Sequence, residues 1–169
     1  GSIAASSDAS TWVWSPEGAA PSRSIDEGQS WEPCAGLSAG VRVIADRVDA
    51  EKFYAVDRRG VYVSQDSGQS FSLTPFELPR GARLRSVFGQ TGDVWIVATT
   101  GLYRSTDAAS TFSRVDGVDS AIALGFGRAA EDAAFPAAYL SGKVNGVAGL
   151  FRSDDAGLSW SRISDERNP

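Results

Sequence analysis

The 169-residue chain contains no histidine and no methionine, and Cys34 is its one cysteine. Without histidine the commonest general base is gone, and with it the usual Ser-His and Cys-His nucleophile pairs. A lone cysteine forms neither an internal disulfide nor a zinc cluster, so Cys34 is expected to be a buried structural thiol. The 16 Lys and Arg never gather into a long basic run, and 21 Asp and Glu leave a net charge of −5, which argues against nucleic acid as a partner. No apolar stretch approaches the length that crosses a membrane, so no membrane partner is expected. Nothing in the residue pattern calls for a metal or a cofactor. The missing methionine suggests a processed product or a piece of something longer, and no signal-peptide pattern sets a compartment.

The chain does have ordinary globular composition, with 42% hydrophobic and 22% charged residues, and enough length for one domain with a real core. It also has a repeat. Four octets, SIDEGQSW (24–31), SQDSGQSF (64–71), STDAASTF (105–112) and SDDAGLSW (153–160), fit Ser-x-Asp-x-Gly/Ala-x-Ser/Thr-aromatic. Their opening serines, Ser24, Ser64, Ser105 and Ser153, are 40, 41 and 48 residues apart. A period near 40 indicates a repeat architecture. Within the second repeat, VRVIADR, KFYAVD, GVYVSQD and SFSLTPF are short runs rich in Val, Tyr and Phe, separated by Gly and Asp turns. They read as four strands. The other repeats divide the same way, and no helix-length stretch shows a 3.6-residue period. The Ala-rich segment 127–136 is too short for a helix, with Gly127 and Pro136 at its ends.

Four antiparallel strands per repeat at this period predict an all-β protein, a β-propeller of about four four-stranded blades near 2–40, 41–81, 82–118 and 119–165. The extra residues of the last repeat are expected in a loop at 141–149, between its second and third strands. The octets then fall at the turn between the third and fourth strands of each blade. There Asp26, Asp66, Asp107 and Asp155 can accept main-chain N–H groups two or three residues on. Gly28, Gly68 and Gly157 supply positive φ, and Ala109 must avoid it or carry strain. Trp31, Phe71, Phe112 and Trp160 are expected to fill the gaps between blades, for about 2–3 kcal/mol each. A calcium loop is the competing reading of these octets, and it fails on spacing.

The octets resemble the Asp-box, or BNR repeat, of sialidases, sortilin-type receptors and several glycoside hydrolases, where it lies away from the active site. Further stretches, VWSPEGA (13–19), DRVDAEKFYAVD (46–57), GDVWIVATTGLYRSTD (92–107) and YLSGKVNGVAGLFRSDDAGLSWSRISDE (139–166), resemble the C-terminal propeller of glycoside hydrolase family 74. That resemblance implies a segment of a seven-bladed propeller from a secreted xyloglucan-active endo-β-1,4-glucanase, paired with a second propeller across a cleft. It implies inversion by two aspartates. The sequence contexts of neither aspartate occur here, so no catalytic residue is assigned.

Propeller geometry puts the loops between second and third strands (15–21, 57–60, 99–101, 141–149) on the face opposite the octets. The inter-blade loops (34–40, 76–81, 116–120) join them there. Trp14, Glu17, Arg58, Arg59, Lys143 and Asn145 are the candidate contacts for xyloglucan or a related β-glucan on that rim. Trp12 and Trp14, two apart on one strand, could equally pack between blades. Glu17, Glu77, Glu131 and Asp132 are loop carboxylates that nothing pairs at a set distance. The alternatives to a hydrolase segment are a non-catalytic propeller module binding glycan or protein, and a structural or assembly role. An incomplete ring leaves exposed blade edges, and is expected to recruit its missing blades or to self-associate through those open edges.

Overall fold

The computed structural model describes residues 1–165, so Glu166 at the end of the fourth quoted stretch lies outside them. The chain forms four four-stranded antiparallel sheets, each in chain order. The first holds β1 (Ser2–Ala5), β2 (Trp12–Ser15), β3 (Ser22–Ser24) and β4 (Glu32–Pro33). The second holds β5 (Arg42–Ala45), β6 (Phe53–Val56), β7 (Val61–Ser64) and β8 (Ser72–Leu73). The third holds β9 (Arg83–Ser86), β10 (Val94–Ala98), β11 (Gly101–Ser105) and β12 (Ser113–Arg114). The fourth holds β13 (Val118–Gly127), β14 (Ala137–Val144), β15 (Val147–Ser153) and β16 (Ser161–Arg162). The described residues contain no helix. This is the all-β propeller arrangement that the repeats predict.

The strands alternate their side chains between two neighbours, because successive residues point to opposite faces. In β6, Phe53 and Ala55 join Val13, Val43 and Phe71 between the first two sheets, while Tyr54 and Val56 join Leu84 and Ile96 between the second and third. In β10, Val94, Ile96 and Ala98 face the second sheet, and Trp95 and Val97 join Leu140 and Phe151 against the fourth. Every residue of β6 and β10 is therefore buried. Sheets covered on both faces favour near-continuous apolar runs, as FYAV and VWIVA are. The last strand of each sheet is two exposed residues long. First strands β1, β5 and β9 contact one another in succession and form the inner side of the stack.

Two expectations are corrected and a third is resolved. Residues 141–149 are not a loop: β14 and β15 pair from Ala138↔Ser153 to Val144↔Val147, leaving Asn145 and Gly146 as a two-residue turn. Their φ values of 47° and 81° are those of a tight hairpin turn, which Asn-Gly favours. Ala109, expected to avoid positive φ or to carry strain, takes the second course and sits at 64°. Trp31 does not fill a gap between blades. Phe71 is buried between the first and second sheets, and Phe112 and Trp160 pack against the next two interfaces. Each of these aromatics closes on the sheet before its own. Trp31 belongs to the first sheet, has no such neighbour, and stays 36% exposed.

Candidate functional site

Every fixed letter of the octet has a structural task. The serine hydroxyl donates to the aspartate Oδ1 at 2.8, 2.7, 2.7 and 2.8 Å in the four turns. It also accepts the N–H four residues on, at Gly28, Gly68, Ala109 and Gly157. The aspartate accepts the N–H of Ser30, Ser70, Thr111 and Ser159, each at 2.9 Å. Its second oxygen accepts the hydroxyl of the same residue. The main-chain partner is thus four residues on, not two or three, because the intervening pair adopts positive φ and brings the later residue back. The hydroxyl contact explains why only Ser or Thr occupies the seventh letter.

These bonds hold the carboxylates charged. The Ser30 hydroxyl and N–H, with Ser24, lower Asp26 to about 2, and Thr111 leads the same effect at Asp107. At Asp66 and Asp155 burial is the largest influence and pushes upward, but the bonds from Ser70 and Ser159 outweigh it and the net direction is down. A carboxylate with three donors on two oxygens is a fastener, and none of the four is free to act as a general acid.

Hydrogen bonds sort the loops into two faces. Ser67 N–H donates to Glu51 O, Ala108 N–H to Gly92 O and Ser7 Oγ to Val48 O, so the first-to-second strand loops join the octet turns. On the other face Ser15 Oγ donates to Val41 O, Arg59 Nη2 to Ser38 Oγ, and Asn145 N–H to Gly117 O. Turns between second and third strands there meet the inter-sheet linkers.

The six candidate contacts do not converge. Glu17, Arg58 and Arg59 are exposed rim residues. Arg59 pairs with Asp57 and lies 5.7 Å over the Tyr62 ring, which fixes it along its own sheet. Arg58 shares with Arg42 and Arg80 a groove of about 570 Å³, between the second and third sheets and floored by Val56, Leu78 and Pro79. Asn145 is the tip of the β14–β15 hairpin, at the far end of the rim. Trp14 and Lys143 lie on strand faces. Trp14 is on the outer face of the first sheet, edge-to-face with Trp31 at 5.8 Å, since Val13 and Ser15 take the inner face. Lys143 alternates with Gly142 and Val144, which face the third sheet, and so points to the outer face of the fourth. The loop carboxylates separate too: Glu17 and Glu77 belong to rim segments, and Glu131 and Asp132 to the β13–β14 loop on the octet side.

Two carboxylates that the sequence did not single out are buried, and both join sheets. Asp46 accepts the N–H groups of Val48 and Asp49 on one oxygen, and the Tyr54 hydroxyl and the Gly92 N–H of the third sheet on the other. Asp93 accepts Trp95 Nε1 at 2.7 Å and the Arg104 guanidinium at 2.5 Å. Arg104 also lies 4.7 Å over the Phe135 ring and donates to Ala156 O of the fourth sheet. All oxygens are occupied, so these are pins, not catalysts. The signal available in sequence was an Asp at or beside the end of an apolar strand run, as in VIAD and DVWIV. Among the described residues no group of three or more His, Cys, Asp or Glu is placed to hold a metal.

Fold and repeated turns together define a segment of β-propeller. No protein-family model matches the chain. Xyloglucanase Xgh74A of Acetivibrio thermocellus is 42% identical over 99% of the chain, which spans 20% of that protein. The family 74 glycoside hydrolase structure from Niastella koreensis superposes with a TM-score of 0.89 at 35% identity, over 98% of this chain and 25% of that one. The family 74 xyloglucanase structure from Xanthomonas campestris gives 0.83 at 38% identity, over 98% and 24%. The chain is a homologue of a segment of glycoside hydrolase family 74 enzymes, about a fifth of their length.

Proposed function

We propose that the chain is a four-blade part of a secreted, xyloglucan-active endo-β-1,4-glucanase, helping to wall the polysaccharide cleft while the catalytic carboxylates lie elsewhere in the parent. The 42% identity along 99% of the chain to a xyloglucanase is the observation that carries this reading. The separation of the loop carboxylates onto opposite faces supports a non-catalytic share. We take each sheet as one blade, and the face opposite the octets as the cleft side. Glu17, Arg58, Arg59 and Asn145 are the rim groups available to sugar hydroxyls. Trp14 and Lys143 would serve at the joints with adjoining blades, at the rim end of their strands. The seats for those blades are the outer faces of the first and fourth sheets, where Trp14, Trp31, Tyr139 and Leu150 are exposed.

Reducing-sugar release from xyloglucan, with binding measured on the same sample, tests the reading. Binding without release is expected. Release by this chain alone would put catalytic carboxylates inside it and overturn the assignment. Loss of both, on a folded sample, would favour a propeller module with a different ligand.

A further inference from the structure

We infer that the groove between the second and third sheets is an anion subsite that takes the carboxylate of a uronate unit in an acidic polysaccharide. The inference rests on the cleft-side reading given above and adds a substrate class to it. Arg42, Arg58 and Arg80 line the groove of about 570 Å³. A smaller hollow of about 180 Å³ adjoins it through Arg42 and Val56, and adds Arg83 and Arg85. Five of the 16 basic residues thus line two hollows that share Arg42 and Val56, in a protein of net charge −5.

That charge is not neutralised from within. Among the described residues, none of the five takes part in an ion pair. Arg85 donates only to main-chain oxygens, of Leu84 and Leu124. Asp57 is the one carboxylate in the lining, and it is engaged by Arg59. Elsewhere the described arginines with acidic neighbours are paired, as Arg23, Arg104 and Arg152 are. Guanidinium groups gathered in a concavity repel one another and focus a positive potential, which a bound anion relieves.

The shape narrows the anion. A guanidinium presents a planar fork that matches a carboxylate with two parallel hydrogen bonds. Val56, Leu78, Pro79 and Ala82 give the groove an apolar floor, which suits the C–H face of a pyranose ring. No aromatic platform lines it on which nucleic-acid bases would stack. A sugar acid satisfies both the charge and the floor, whereas a free phosphate would use the charge alone.

The test is calorimetric titration of the chain with polygalacturonate, its methyl ester, neutral xyloglucan and inorganic phosphate, at low and at raised salt. Polygalacturonate is expected to bind about tenfold or more tighter than the ester, with the preference fading as salt rises. The R42Q/R80Q variant should lose that preference and keep its affinity for xyloglucan. Both side chains are exposed and without an ion-pair partner, so the fold tolerates the change. R42K/R80K should recover part of the preference. Equal binding of acid and ester, or a preference that survives R42Q/R80Q, would overturn the inference. Phosphate competing as well as galacturonate would overturn the sugar-acid assignment. Xyloglucan binding without any acid preference would overturn this subsite and leave the proposed function standing. Acid binding without xyloglucan binding would support the subsite and overturn the neutral substrate.

Discussion

At each octet turn a single serine hydroxyl holds two groups that cannot hold each other. Ser64 Oγ donates to Asp66 and accepts the Gly68 N–H at 2.9 Å, in a buried setting. In S64A the buried Gly68 N–H loses its acceptor, so about 1–3 kcal/mol of stability should go, read as a lower urea midpoint with unchanged slope. The glycine position can be argued the same way. A Cβ on Gly157 would stand 2.7 Å from Trp95 Cη2, at φ 88°. Backbone strain and overpacking together should make G157A about 2–4 kcal/mol less stable. Ala109 already bears the positive φ, and its methyl is wholly buried. In A109G about 1 kcal/mol of relieved strain is set against about 0.8 kcal/mol of lost apolar burial, so the melting temperature should scarcely move. The acid limb follows from the same bonds. Asp26 is held at about 2 against an ordinary 3.8. A depressed carboxyl stabilises the fold above its unfolded value, and that contribution drains as pH falls through the folded one. Stability should therefore stay level down to about pH 5 and decline between about pH 4 and pH 2, with S30A raising the lower limit of that window and making the decline smaller. Burial pushes the Cys34 thiol up to about 11, consistent with its place in the core between the first two sheets.

Strands and turns show where reading a sequence succeeds and where it stops. The octets fix turn positions because each letter answers a local bond, Ser to Asp, Asp to Ser, glycine to φ. The runs FYAV and VWIVA announce strands covered on both faces. What could not be read was set by pairing across the chain. β13 starts at Val118 and runs to Gly127 because β14 offers partners along its whole length, with register shifts between Val118 and Ala123. The segment 141–149 looks like an insertion, yet it pairs with itself about Asn145-Gly146. The site candidates fared likewise. Rim loops could be inferred from propeller geometry, but Arg42 on a first strand and Arg80 on a linker meet Arg58 only once the sheets stack. Pins between sheets belong to this scale too. Arg104 ties β11 to Asp93 beside β10 and to Ala156 of the next sheet. R104M leaves Asp93 charged and buried, and should cost about 3–5 kcal/mol. Adding D93N removes the stranded charge while keeping an acceptor for Trp95 Nε1. The double variant should regain part of the loss, which chemical denaturation of both proteins would measure.

For the whole molecule, the decisive feature is that the stack of sheets ends on two apolar faces. Between sheets, the residue that follows each octet's Ser or Thr packs against the neighbouring sheet, Phe71 buried and Phe112 and Trp160 partly buried. At the start of the stack the equivalent Trp31 is exposed, with Trp14 and Ile3 beside it at 46% and 65%. At the other end Tyr139, Leu150 and Ile163 are exposed around a hollow of about 380 Å³ that is apolar almost throughout. Paired exposed patches of this kind mark surfaces built to meet another. The outermost strands are only two residues long, so association through the faces is favoured over pairing along strand edges. In the proposed parent, adjoining blades would cover both faces. For this chain in isolation a second copy is the available substitute, first face against last, which is a head-to-tail contact. Sedimentation velocity over a range of concentrations should therefore show reversible association that weakens on cooling, as apolar contacts do. W14S should weaken it from one end and L150K from the other. Because each copy brings both faces, mixing the two variants should restore one good junction and give dimers that neither forms alone. A monomer at every concentration would mean that the ends are satisfied within the chain, and the open-stack reading would fail with it.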